Sequence, residues 1–151
     1  MLDTYRIERR IKEVHKRVKF LVDEYRNLTE EEFVKDDMIN ASAERNLQVA
    51  IQACIDIANH IVASLGLDKK FDSTAEVFYE LVDNGILDGD FANKMASITG
   101  YRNVLVDAYL DVQRKITYDN IQNRLSDLSE FAKYIEEFLG RYEKKHGTNS
   151  S

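Results

Sequence analysis

Proline and tryptophan are absent from the 151 residues, glycine occurs six times and cysteine once. Each scarcity excludes something. A many-stranded fold turns often and spends proline and glycine on its turns, so this chain has too little punctuation for one. Cys54, lying in the apolar run Ala50-Ile51-Gln52-Ala53-Cys54, has no partner in its own chain. A disulfide framework is excluded, and a small buried side chain is the expected role. No apolar run approaches the ~20 residues that span a bilayer, and the first residues lack the apolar centre of a signal peptide. A cytoplasmic protein with no membrane partner is expected. Also missing are a glycine-rich phosphate loop, a nucleophile elbow, paired cysteines and a His-Glu-x-x-His motif.

What remains is 44% hydrophobic and 32% charged, a globular balance with helix-favouring residues in long stretches. The net charge of −6 argues against a general nucleic-acid binder. That charge is polarised. Arg6, Arg9, Arg10, Lys12, Lys16, Arg17 and Lys19 crowd the first segment, Glu30, Glu31, Glu32, Asp36 and Asp37 follow, and every charged residue between Asp72 and Asp90 is acidic. Such a chain has solvated helix faces, a local basic groove, or a head-to-tail fit to its own copy.

Apolar residues recur at helical spacing. Ile7, Ile11, Val14, Val18, Leu21, Val22 and Tyr25 form one stripe, predicting a helix over about Leu2 to Asn27. Thr29 with Glu32 reads as a capping box. A second helix is predicted over about Asp37 to Leu65, burying Leu47, Ala50, Ile51, Cys54, Ile57, Ala58 and Ile61 and ended by Gly66. Ser73 with Glu76 reads as another capping box, opening a short helix that stops at Asn84-Gly85. Asp88 or Asp90 is expected to cap a fourth helix reaching about Tyr109. A last one is expected over about Thr117 to Lys145, with Ile121, Leu125, Leu128, Phe131, Ile135 and Phe138 as its stripe. The expectation is all-α: an antiparallel up-and-down four-helix bundle with one extra short helix, a single domain over 1–146, and a disordered tail over 147–151.

The segment Gly100-Tyr101-Arg102-Asn103-Val104-Leu105-Val106-Asp107-Ala108-Tyr109 sets three polar heads into apolar surroundings. Each head must find a partner, reach solvent or line a site. This segment resembles the motif of the HepT family of HEPN-type toxins: Arg, four residues, His, one residue, Tyr, in a phrase close to Gly-aromatic-Arg-Asn. Gly100, Tyr101, Arg102, Asn103 and Tyr109 match it, and Asp107 stands where the family has His. The stretches Ala53 to Ile61 and Phe78 to Leu87 are similar to further phrases of that family, so the resemblance covers about Ala43 to Leu139.

The resemblance implies a dimeric endoribonuclease toxin with the motif regions of two chains facing a shared cleft. It implies as partner a minimal nucleotidyltransferase antitoxin that silences the toxin by transferring AMP to the motif tyrosine. Carried over by position, Arg102 contacts phosphate, Tyr109 is modified, and Asp107 inherits the histidine's place. Cutting RNA without a metal requires a base for the 2′-hydroxyl proton, an acid for the leaving oxygen and a cation for the phosphorane. Histidine titrates near working pH, at ~6.5, whereas aspartate at ~3.9 is a weak base. Catalysis is therefore expected to be weakened. The alternative is a non-catalytic, nucleotide- or substrate-binding partner subunit of the nucleotidyltransferase.

On an unbroken helix Arg102 and Tyr109 share a face while Asp107 points about 140° away. A joint site then needs a break near Val106, a long reach by Arg102, or a second subunit. The plainer readings are an ion-paired Arg102, a Tyr109 packed in a core or interface, and an Asp107 that caps the helix or pairs with Arg102. Gly100 within a helix suggests close backbone approach to a neighbouring helix or to a dimer mate. Asp56 and His60, four apart, have metal-ligand spacing without a third ligand, so neither metal nor cofactor is expected. His60 is expected to bond Asp56 or a motif residue and is a candidate for the missing proton chemistry. His15 and His146 read as surface residues.

Overall fold

The computed structural model describes residues 2–66, 71 and 73–146, which form eight helices and no strand. The expected tail, 147–151, lies outside the described residues, as does the side chain of His146. Helix α1 (Thr4–Tyr25) and helix α3 (Asp37–Ser64) make the most extensive helix pair. The predicted stripe of α1 is the buried one, from Ile7 through Tyr25, with Val22 partly covered. Between them α2 (Glu30–Val34) opens with the Thr29–Glu32 capping box and drives Phe33 into the core against Tyr25 and Tyr118.

Helix α3 is buried over a wider arc than one stripe, taking in Ala53, Ile55 and Val62 as well, because helices pack on several sides of it. One 18-residue window of it is long and apolar enough to cross a membrane, at mean hydropathy 1.2, against the expectation that no such run exists. Just over half of that window, 56%, is buried within the protein's own core. Gly66 ends it at φ +73°, the left-handed conformation expected there.

Helix α4 (Glu76–Asp83) departs from expectation at its start. Ala75, with no side-chain cap, precedes it, so Ser73 and Glu76 do not form the expected capping box. Asn84-Gly85 ends it as predicted, Gly85 at φ +73° and Ile86 N–H donating to the Leu81 carbonyl at 2.9 Å. Asp88 precedes α5 (Gly89–Thr99), but its carboxylate accepts from the Tyr134 hydroxyl at 2.7 Å instead of capping.

The expected fourth helix is two. Helix α5 meets α6 (Tyr101–Asp107) at Gly100, and the chain then runs extended through Ala108 (ψ 153°) and Tyr109 (ψ 155°). The expected last helix is also two: α7 (Leu110–Asn123), starting earlier than Thr117, and α8 (Leu125–His146), divided at Arg124. Arg26, Tyr118 and Gln122 tie α7 to the loop after α1. Tyr118 donates to Leu28 O (2.7 Å), Gln122 to Arg26 O (2.8 Å) and Arg26 to Ile121 O (3.2 Å). One contiguous apolar core draws on every helix, and Cys54 lies fully inside it, its thiol pushed up by burial.

Candidate functional site

Helix α6 carries the motif, and tertiary bonds fix its place. Tyr101 is 2% exposed, and its hydroxyl meets Thr117 Oγ1 at 2.6 Å across to α7. Thr117 donates in turn to the Gln113 carbonyl. Burial, first of all, pushes the Tyr101 phenol up. Gln113 Nε2 donates to Leu105 O at 3.2 Å and Ala108 O at 2.6 Å, occupying carbonyls that a helix end leaves without partners. These bonds hold the break that separates Asp107 from Tyr109. The helix does break, at Ala108–Tyr109 just beyond the expected Val106, but within one chain the break does not bring Arg102, Asp107 and Tyr109 together.

Each motif side chain then has its own setting. Arg102 and Asn103 are exposed near the start of α6, and Asp107 is exposed as its last residue. Tyr109 is 88% exposed, with no hydrogen bond from its hydroxyl among the described residues. It is neither a core aromatic nor on a shared helical face with Arg102. Arg102 and Asp107 form no ion pair, so that expectation is corrected as well: five residues apart, they diverge around α6. At Gly100 an added Cβ would meet the Ser97 carbonyl of the preceding turn at 3.1 Å, rather than a neighbouring helix.

Arg102 lines a cleft of about 810 Å³ between α1 and α3. Arg6, Arg9, Arg10 and Arg45 line it too, with Tyr5, Asp3, Glu13 and Asp56. Asp56 does not bond His60. It pairs with Arg10 at 3.2 Å and accepts from Gln52 at 2.9 Å. His60 Nε2 instead accepts the backbone N–H of Asp3 at 3.0 Å, fixing the start of α1. Desolvation first, then the Arg6 charge, lowers its pKa and keeps the ring neutral. His60 thus reaches neither Asp56 nor a motif residue. His15 is exposed, 3.1 Å from Glu136. Among the described residues no three His, Cys, Asp or Glu side chains converge as a metal-ligand set.

Sequence reasoning missed two contributors, Gln113 and Arg45. Gln113 pins α6 together with Tyr101, which the sequence offered only as a match to the motif. Arg45 joins the basic residues of α1 in the cleft, a convergence visible only once α1 and α3 are paired.

Residues 7–135 match the family model described as "Ribonuclease HepT-like". The mRNA nuclease HepT of Shewanella oneidensis is 30% identical over 107 residues, 70% of this chain and 78% of that protein. The tRNA nuclease HepT of Aphanizomenon flos-aquae is 28% identical over 122 residues, 81% of this chain and 82% of its own. Among solved structures, the tri-AMPylated HEPN toxin of S. oneidensis in complex with MNT antitoxin superposes with a TM-score of 0.77 at 27% identity, covering 91% of this chain and 99% of that one.

Proposed function

Since the chain belongs to the HepT-like ribonuclease family, we propose that it is the toxin of a toxin–antitoxin pair, an endoribonuclease whose Tyr109 receives AMP from a nucleotidyltransferase antitoxin. The observation that carries this reading is the break after Asp107. It turns the Tyr109 hydroxyl out to solvent while Arg102, near the start of α6, lines a basic cleft. A modifying enzyme must reach its acceptor, and Tyr109 meets that condition where the buried Tyr101 does not. In the transfer, the Tyr109 oxygen attacks the α-phosphorus of a nucleoside triphosphate, pyrophosphate leaves, and the phenolic proton goes to solvent or to a base of the transferase.

In cleavage the 2′-hydroxyl loses its proton, its oxygen attacks the adjacent phosphorus, and the 5′-oxygen departs with a proton. Arg102 holds the phosphate and the charge that builds on it. Tyr109 positions the phosphate from the break. Asp107 stands in the proton-transfer position as a weak base, and Asn103 supports Arg102 from the adjacent exposed position. One chain holds Arg102 in its cleft but not Asp107 or Tyr109, so a homodimer completes the constellation.

Asp107 also favours a second reading, a non-catalytic substrate-binding subunit beside the transferase. The two separate on incubation of purified protein with total cellular RNA, with and without EDTA. The toxin reading expects cleavage that survives EDTA and is lost in Arg102→Ala. The subunit reading expects no cleavage by the wild type, with cleavage appearing in Asp107→His.

A further inference from the structure

The α1–α3 cleft holds more positive charge than a single catalytic arginine requires, and its charges are unevenly engaged. Five arginines line it against three carboxylates. All three carboxylates are occupied. Asp3 caps α1 by accepting the Arg6 backbone N–H at 3.0 Å, Glu13 accepts from Arg17 at 2.9 Å, and Asp56 pairs with Arg10. Arg6, Arg9, Arg45 and Arg102 have no ion-pair partner among the described residues. In a protein of net charge −6, four unneutralised guanidinium groups converging on one concave surface select an anion.

An aromatic stands among them. Tyr5 is 69% exposed on α1, and the Arg9 guanidinium lies over its ring, 5.9 Å from the centroid. Exposed rings beside arginines are what unpaired bases stack on, since every base has a π-face while phosphates follow the cations. An acidic protein surface would use the arginines but has no need of the ring.

We propose that this cleft is a single-stranded RNA track, with Arg6, Arg9 and Arg45 holding backbone phosphates and Tyr5 stacking a base, which delivers the strand to Arg102. It deepens the ribonuclease reading by assigning the substrate form, an unpaired strand, and the residues that hold it away from the scissile bond.

The test is fluorescence anisotropy with a labelled 12-nucleotide single strand carrying 2′-O-methyl groups, which removes the attacking hydroxyl and so reads binding alone. Arg6→Gln/Arg45→Gln should weaken binding at least about ten-fold and flatten the log–log salt dependence by about 0.7 for each phosphate no longer neutralised. Tyr5→Ala should cost about 5- to 150-fold, and Tyr5→Phe, which keeps the ring, should bind as the wild type does. Thermal melts of each variant establish that it is folded; all three positions are exposed. Wild-type affinity in Tyr5→Ala and in the double variant overturns the proposal, as does a wild type that binds no strand. Loss of antitoxin binding in these variants with RNA affinity intact overturns it too, in favour of a protein-docking cleft. A wild type that binds the strand but leaves total RNA uncut defeats the ribonuclease reading while the track stands.

Discussion

At the scale of single residues, Asp107 stands where the family has His, and His60 does not make up for it. Asp107 ends α6, so its carboxylate also meets the negative end of the helix, where a cation is preferred. Asp107→His supplies a group that titrates near working pH. Cleavage of RNA by this variant should exceed that of the wild type by about 10²–10⁴-fold, the usual worth of a general base. An unchanged rate would mean that the proton is handled elsewhere. His60 is spent on structure: its neutral ring accepts from the Asp3 backbone. With its folded-state pKa below the ordinary value, the unfolded chain takes up the proton first as pH falls. The stability it gives is whole above about pH 6.5 and erodes below that value. In His60→Gln an amide oxygen can accept the same bond without titrating. Between about pH 7 and pH 5 the wild type's Tm should therefore fall relative to the variant's. Parallel melting curves across that range would show that His60 does not titrate on unfolding.

At the scale of elements, legibility follows how locally each feature is determined. The stripes of α1 and α3, the Thr29–Glu32 box and the glycine stops at Gly66 and Gly85 are local, and the structure repeats them. The break after Asp107 is not local. Ala108-Tyr109 contains neither glycine nor proline, and the apolar spacing runs on through it. What holds it is contact between elements: the Tyr101–Thr117 bond and the two bonds from Gln113 to the carbonyls of Leu105 and Ala108. The division at Arg124 has the same origin, its guanidinium being drawn to Asp127 and the Lys94 carbonyl. Arg102 and Tyr109 were thus findable as residues, whereas their separation into cleft and solvent required the fold. Gln113 tests this. Gln113→Leu keeps comparable bulk and removes both donors, each worth about 1 kcal/mol. Exchange of the Ala108 amide should quicken. Cleavage should drop about ten-fold or more while strand affinity stays within about two-fold, because misplacement costs rate before it costs binding. Equal losses in both would place Gln113 in the binding surface instead.

At the scale of the whole molecule, the proposed homodimer has a candidate surface at the end of α6. Arg102 opens into the basic cleft, whereas Asp107 lies five residues on, about 7.5 Å along the axis of α6, and faces solvent. Around it stand Val106, 82% exposed, with Tyr109, Leu110 and Val112 also uncovered. Four apolar or aromatic side chains exposed within seven residues are a costly surface for an isolated chain, and they fit an interface whose centre excludes water. A second copy seated on this patch would bring its own break beside the first and close the site from two sides. Val106→Asp with Leu110→Asp buries two carboxylates in such an interface, an arrangement that association does not tolerate. Sedimentation should show the wild type at twice the 17.5 kDa of one chain and the double variant at one chain's mass, its helicity retained and its RNA cleavage lost. A monomeric wild type that still cuts RNA would mean that Arg102 and the exposed end of α6 act together within one chain.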